Sequence, residues 1–140
     1  MVRIATRSDL DRLVELGWQA HAASNNQHLP ISEDVWRKTI SAMMLRPWEN
    51  IVLISDDGFL LGTLAEYPYA AAKYAIDVAF YAQGSGRSLL KHFQAWARRK
   101  GAKEVVIVNS FGQSRTDKFL QAAGMQNVGG MYVLRLGEEL

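Results

Sequence analysis

The sequence predicts an α/β fold in which a mixed, mainly antiparallel sheet of six to seven strands carries helices on both faces. Three observations predict it. The apolar patterns along the chain follow the order strand, two helices, three strands, helix, strand, helix, strand. The turn signal Asp56-Asp57-Gly58 separates two apolar runs, which is typical of an antiparallel hairpin. Later strands alternate with helices, so crossover connections add parallel neighbours to the antiparallel strands.

The N-terminal third predicts one short strand and two helices. Residues 2–5 suit a short strand, and Thr6 or Ser8 can cap the helix that follows. A polar loop over 22–30 separates this helix from a second one, which Ser32 opens. The apolar residues of the first helix recur at helical spacing, so it is expected to bury one face: Leu10, Leu13, Val14, Gly17 and Trp18.

The rest of the chain predicts five more strands and two helices. Strands are expected over 51–55, 59–66 and 74–80, and later over 104–109 and 131–136. One helix begins after Gly86 and ends at Gly101, and another covers 114–123. The apolar residues of the first of these lie on one side: Leu89, Leu90, Phe93, Trp96 and Ala97.

Length and composition set the broad class. A chain of 140 residues predicts one domain, over 1–140. No apolar run approaches the roughly 18 residues of a membrane span, and no signal peptide is recognisable. Without cysteine there is no disulfide, thiol nucleophile or thiolate metal site, so we expect a cytoplasmic protein. The net charge of +2 suits an anionic small molecule but is too small to indicate nucleic acid.

The most informative segment is the strand, glycine loop and helix start over 78–90. Such a junction directs free backbone N–H groups and the positive end of a helix dipole at one place, which favours a phosphate group. Gly84 and Gly86 lack the Cβ atoms that would hinder the close approach of a pyrophosphate. The tripeptide Gly84-Ser85-Gly86 alone is more typical of an ordinary turn than of a phosphate site, so its surroundings must decide.

Those surroundings resemble the GNAT superfamily of acetyl-CoA-dependent N-acetyltransferases, over nearly the whole chain. The family motif Q/R-x-x-G-x-G/A opens its central helix, and here Gly84-Ser85-Gly86 is followed by Leu89-Leu90. Gly101-Ala102 falls where that helix usually ends. The segment 119–125 is similar to the family's F-Y-x-x-x-G-F, and 131–134 to its closing strand. The resemblance implies a GNAT-like fold with acetyl-CoA as co-substrate.

The resemblance also implies which residues bind acetyl-CoA. Backbone groups of the strand before the loop would hold the thioester and the pantetheine arm, and Gln113 falls where the family often has an Asn near that arm. Arg87 and Lys91 leave the first turn of the helix and could meet the phosphates. The predicted cofactor-binding residues are Val78, Phe80, Gln83, Gly84, Ser85, Gly86, Arg87, Ser88 and Gln113.

Two positions depart from the family pattern. Tyr81 stands where the motif has Gln or Arg, and Leu120 stands where many members have a tyrosine that protonates the leaving thiolate. Starting the motif at Gln83 instead restores its first position but places Lys91 and His92 where the family is usually apolar. We prefer the first alignment. The departures leave a slower enzyme, a differently equipped one, or a non-catalytic protein as alternatives.

Three residues are candidates for proton transfer. Asp77 and Glu66 could act as the general base for an amine, although each also fits an ordinary solvent-facing strand residue or ion-pair partner. Tyr81 could protonate the thiolate, although a packed aromatic ring at a strand end is the plainer interpretation. Tyr132 on the expected last strand could also reach the site.

The sequence thus predicts an enzyme that transfers an acetyl group from acetyl-CoA to a primary amine of a small molecule or protein. The alternative is a catalytically degenerate protein of the same fold that binds CoA or serves in interaction or structure. A nucleotide-phosphate binder of another α/β class is disfavoured because the loop lacks the Gly-Lys-Ser/Thr ending of a P-loop. We expect no metal, no membrane partner, and a monomer or homodimer.

Overall fold

The computed structural model describes residues 1–24, 26–108 and 114–137. Within them lies one sheet in the order β1-β2-β3-β4-β5. Its strands are β1 (Arg3–Ile4), β2 (Asn50–Ile54), β3 (Gly58–Glu66), β4 (Lys73–Ala82) and β5 (Val105–Val106). Neighbours from β1 to β4 are antiparallel, and β4 and β5 are parallel.

Four α-helices accompany the sheet in the described part of the chain: α1 (Leu10–Ala23), α2 (Glu33–Met44), α3 (Gly86–Arg99) and α4 (Ser114–Ala122). A short 3-10 turn, Arg7–Asp9, leads into α1. Ser32 caps α2, because its side chain accepts a hydrogen bond from the N–H of Val35 at 3.2 Å. None of these helices combines the length and the apolar character that crossing a bilayer demands.

The helices cover both faces of the sheet. On one face α3 packs Phe93 and Trp96 against Leu53 and Leu60. On the other face α1 and α2 form a second core cluster with Val52, Ile54, Phe59 and Leu61 of the sheet: Leu13, Leu16, Ile40 and Met43. The predicted mixed α/β fold with helices on both faces is confirmed.

A β-bulge interrupts the pairing of β3 with β4. Leu61 pairs with Ala79 and Gly62 with Asp77, so Val78 is the extra residue. The bulge inverts the alternation of side chains along β4. Ala75 and Phe80 therefore pack on the α3 side, and Tyr81 packs on the side of α1 and α2.

The parallel pairing of β4 with β5 is short. It covers Ala75 with Val105 and Ile76 with Val106. Two residues later the backbone N–H of Val108 donates to the Asp77 carboxylate at 2.9 Å. The predicted strand over 104–109 is thus shorter in the described residues, and its residue 109 lies outside them. Beyond Ile76, no described residue pairs with the β5-side edge of β4.

The described residues form five strands, slightly fewer than the six to seven predicted. The difference is the segment 131–136, which has no strand there and leaves Tyr132 98% and Leu136 89% exposed. A strand is stabilised by ladder hydrogen bonds and by burial of one face. In the described residues β5 is only two residues long and offers little edge for such a ladder. The last strand that was expected to bring Tyr132 to the site is therefore absent from the described residues.

Candidate functional site

A cavity lies where β4 ends and α3 begins. Its volume is about 560 Å³. The end of β4 and the glycine loop form one wall, and α4 forms another. The lining residues are Ala23, Phe80, Tyr81, Ala82, Gln83, Gly84, Gly86, Arg87, Arg115, Thr116 and Phe119.

Free donors point from the start of α3. The first backbone hydrogen bond of this helix runs from the N–H of Leu89 to the carbonyl of Ser85, at 3.0 Å. The N–H groups of Gly86, Arg87 and Ser88 therefore have no partner within the helix. Together with the helix dipole they make this end of the cavity suitable for an anion. The sequence predicted these residues as phosphate contacts.

Two arginines add positive charge to the cavity. The Arg87 guanidinium donates to the carbonyl of Ala122 at 3.4 Å, which directs it toward α4. Arg115 in the first turn of α4 also lines the cavity. None of the described lining residues carries a carboxylate. The electrostatics therefore favour a phosphorylated ligand with several negative charges.

The glycines of the loop make room for protein groups on the side away from solvent. A Cβ at Gly86 would lie 3.2 Å from the Phe119 ring, so glycine lets the α4 aromatic ring approach the start of α3. A Cβ at Gly84 would lie 3.0 Å from a carboxylate oxygen of Asp57. Phe119 in turn packs near Phe80, with ring centroids 6.5 Å apart. These contacts close the inner end of the cavity with apolar rings.

Tyr81 lies half-buried in the cavity wall on the α1 side. Its ring packs near Phe59, with centroids 6.4 Å apart. Its hydroxyl accepts a hydrogen bond of 3.1 Å from the Gln83 side chain and lies 3.5 Å from the Oε1 atom of Gln19. The phenol group is thus held by polar side chains at the cavity wall.

Asp77 lies at the open edge of β4, directly before the bulge. By the alternation of the strand it belongs to the α3 face, with Ala75, and so to the face opposite Tyr81. Burial raises the pKa of Asp77 to about 6, and the hydrogen bond from the Val108 N–H opposes that rise. The structure therefore places this carboxylate near the end of the β4–β5 pairing, outside the cavity lining.

Glu66 lies far from the other candidates. It pairs with Lys73 at the start of β4, whereas the glycine loop follows Ala82 at the end of that strand. A strand of this length separates the two ends by roughly 30 Å at about 3.3 Å per residue. Glu66 is exposed. The structure does not bring it together with Tyr81 or with the loop.

The remaining positions that the family resemblance singled out have distinct settings. Leu120 is 9% exposed and packs into the protein interior, while its neighbour Phe119 lines the cavity. Lys91 and His92 are exposed and Leu89 and Leu90 buried, as the preferred alignment of the motif requires. Val78 is 49% exposed at the bulge. Gln113 lies outside the described residues.

The sequence interpretation missed Arg115 and Thr116 as cavity residues, and Asp57 as a partner of the loop. Arg115 carried a signal, because a cation in the first turn of a helix opposes the dipole and calls for a reason. Asp57 was assigned only to the hairpin turn. No pattern within the sequence connects it with Ser85, which follows 28 residues later.

Comparisons with known proteins identify the fold of the chain. No protein-family model and no curated protein sequence matches the chain. Solved structures match it over nearly its full length. Aminoglycoside 6'-N-acetyltransferase AAC(6')-Ih from Acinetobacter baumannii is 14% identical, covers 99% of both chains, and has a TM-score of 0.76. The chain has the GNAT acetyltransferase fold.

Two further solved structures match the chain over a similar extent. AAC(6')-Iy, in complex with the bisubstrate analogue CoA-S-monomethyl-acetylneamine, is 15% identical over 96% of each chain, with a TM-score of 0.76. A transcriptional regulator from Bacillus halodurans C-125 is 13% identical, covers 97% of this chain and 99% of its own, and has a TM-score of 0.78. Identities this low establish the fold alone. The resemblance to the GNAT superfamily is thus confirmed at the level of the fold.

Proposed function

We propose that this protein, as a single GNAT-like domain, binds acetyl-CoA at the β4–α3 cavity and transfers the acetyl group to a primary amine. One observation carries the proposal. Three features adjoin one cavity: the N–H groups at the start of α3 that have no helical partner, two arginines, and a β4 edge that no described residue pairs beyond Ile76. Coenzyme A needs this combination, because it joins a pyrophosphate to an extended arm that contains two amide groups.

The chain's residues fit the two parts of this ligand. The N–H groups of Gly86, Arg87 and Ser88 and the guanidinium groups of Arg87 and Arg115 suit the pyrophosphate. The β5-side edge of β4 is unpaired beyond Ile76 among the described residues, so the backbone of Val78 and Phe80 can bond the amides of the arm. Gln83, Gly84 and Ser85 form the loop that connects the β4 edge to the start of α3.

Acetyl transfer to an amine requires that the thioester and the amine be held in position and that two protons move. The amine nitrogen forms a bond to the thioester carbonyl carbon while the bond from that carbon to sulfur breaks. Holding the two reactants together supplies much of the acceleration, up to about 7–11 kcal/mol in favourable systems. The proton lost by the amine passes to a base, and the leaving sulfur accepts one from an acid.

We assign the acid to Tyr81 and assign no base, because Asp77 lies outside the cavity lining, on the sheet face opposite Tyr81. Tyr81 lines the cavity. Glu66 is not carried into the proposal, since it lies at the far end of β3.

Calorimetry tests the binding part. The protein is titrated with acetyl-CoA and with desulfo-CoA, and binding of both is expected. Failure of both to bind would remove the CoA proposal. The Gly84→Val variant should lose binding, because a side chain there displaces Asp57 and the loop. The matched control is Gly130→Val, since a Cβ at Gly130 meets nothing within 4 Å.

A second candidate function is a CoA-binding protein that no longer transfers the acetyl group. The buried Leu120, where many GNAT proteins have a catalytic tyrosine, favours it. Release of free thiol from acetyl-CoA across a panel of amines and peptides separates the two. Thiol release that depends on an added amine supports the enzyme. Tight CoA binding with no amine-dependent release supports the binder.

A further inference from the structure

The hairpin between β2 and β3 reaches the glycine loop through one carboxylate. Asp57 accepts a hydrogen bond from the hydroxyl of Ser85, and its carboxylate lies against the loop backbone, where a Cβ at Gly84 would be 3.0 Å from Oδ2. Ser55 completes the cluster. Its hydroxyl lies 2.6 Å from that of Ser85 and 3.3 Å from Oδ1 of Asp57, and the residue is only 6% exposed.

These contacts keep Asp57 charged. The hydrogen bonds from Ser85, Ser55 and Gly84 hold the pKa of Asp57 below its ordinary value, although burial works against them. A carboxylate at the N-terminus of a helix is further favoured by the dipole. An ionised group with several donors is a strong local anchor, because charge-assisted hydrogen bonds exceed neutral ones.

The carboxylate holds the loop from the side of the sheet. Gly84 and Gly86 line the cavity, but Asp57 and Ser55 are not among the described residues that line it. The Ser85 hydroxyl of the loop is thus committed to a protein anion. The N–H groups of the first turn of α3 remain available for an external anion. The hairpin, and not the loop sequence alone, determines how these donors are divided.

We propose that Asp57 is a positioning residue, which holds the glycine loop so that the first N–H groups of α3 face a pyrophosphate in the cavity. The inference rests on the proposed binding of CoA. It assigns to the β2–β3 hairpin a part in cofactor affinity that the glycine motif does not contain. Without the carboxylate, the loop must be ordered at the expense of binding energy.

The test compares Asp57→Asn with Asp56→Asn. The neighbouring Asp56 has a fully exposed side chain that contacts only the terminal amine, at 3.7 Å, among the described residues, so its loss controls for charge near the hairpin. Calorimetry with CoA should give a dissociation constant about tenfold higher for Asp57→Asn and unchanged for Asp56→Asn. Affinity equal to or tighter than that of the wild type would overturn the proposal, the latter because Asp57 would then compete with the ligand.

Two further measurements separate positioning from general destabilisation. Backbone hydrogen exchange of Gly84 and Ser85, without ligand, should be faster in Asp57→Asn, while exchange in the core of β3 stays unchanged. Ser85→Ala removes a donor to the same carboxylate. Because the two residues share one interaction, the Ser85→Ala and Asp57→Asn effects on CoA affinity should not add. Additive effects would contradict a shared role.

The same experiments distinguish the two levels of inference. If wild-type protein fails to bind CoA, the proposed function falls, and the exchange data still decide whether Asp57 restrains the loop. If wild-type protein binds CoA and Asp57→Asn binds it equally well, the function stands and the positioning role is wrong. Slow exchange at Gly84 and Ser85 in Asp57→Asn would likewise refute the restraint.

Discussion

Asp77 accepts a 2.9 Å hydrogen bond from the backbone N–H of Val108, two residues after the parallel pairing of β4 and β5 ends. A side chain thus takes the place of a ladder bond at the point where the strands part. The carboxylate satisfies a backbone donor that the short β5 leaves unpaired. It does so at a cost, because it is partly buried and has no cationic partner among the contacts that shift its pKa.

Replacing Asp77 by Asn should change how stability depends on pH. The pKa of Asp77 is raised from 3.8 to about 6, so between these values the folded state holds more protons than the unfolded one. The stability that the protonated group contributes is complete below pH 3.8 and is lost as pH rises through about 6. Asp77→Asn should therefore match the wild type at low pH and exceed it at pH 8 by up to about 3 kcal/mol.

Urea unfolding across that pH range measures the difference. The Asn amide oxygen can still accept from Val108, so the hydrogen bond is kept while the charge is removed. Glu66→Gln is the control, since Glu66 is exposed on the neighbouring strand. Its stability curve should run parallel to that of the wild type. If the stability of Asp77→Asn also ran parallel to that of the wild type across pH, the raised pKa of the buried Asp77 carboxylate would be contradicted.

Gly62 is required by the ring that α3 places on the sheet. A Cβ at this position would lie 2.2 Å from Cε1 of Phe93, which is fully buried. Gly62→Ala should therefore lower the free energy of unfolding by about 1–3 kcal/mol through overpacking. A second change, Phe93→Leu, should recover part of that loss. Gly130→Ala, with open space around it, should leave the free energy of unfolding nearly unchanged.

Most of the fold was predictable because its main elements carry strong local patterns. The helix after Gly86 places five buried apolar residues on one face, and the run 51–55 sits beside a clear turn signal. Periodicity of this kind reports burial directly. The segment 131–136 carries a similar apolar pattern, yet in the described residues no neighbouring strand covers it. Pattern alone does not reveal whether a partner strand exists.

The candidate site was only partly predictable, for a related reason. The N–H groups of the glycine loop follow from local sequence. The contribution of Asp57 does not, because it depends on the hairpin end of β2 and β3 meeting the end of β4. The pairing of Gly58 with Ala82 produces that meeting. Only the register of the sheet places Asp57 beside Ser85.

Replacing Arg87 by Ala should weaken CoA binding without unfolding the protein. Arg87 is exposed, lines the cavity and is directed by its bond to Ala122. Losing one charge-assisted contact to a phosphate should raise the dissociation constant by about tenfold in calorimetry. The change should also make binding less sensitive to salt. Arg98→Ala at the other end of α3 is the control and should bind CoA as the wild type does.

Replacing Tyr81 by Phe tests the proton donor separately from the binding site. The ring remains to pack near Phe59, so the cavity wall and the affinity for acetyl-CoA should be kept. Loss of the hydroxyl should lower amine-dependent thiol release by about 10²–10⁴, the usual effect of removing one general acid. Tyr132→Phe provides the comparison, because Tyr132 is 98% exposed. A Tyr81→Phe rate equal to the wild-type rate, with unchanged affinity, would move the acid to another group. A loss of affinity with an unchanged rate at saturation would instead make Tyr81 a wall of the acetyl-CoA site, since removing uniform binding changes KM and leaves kcat alone.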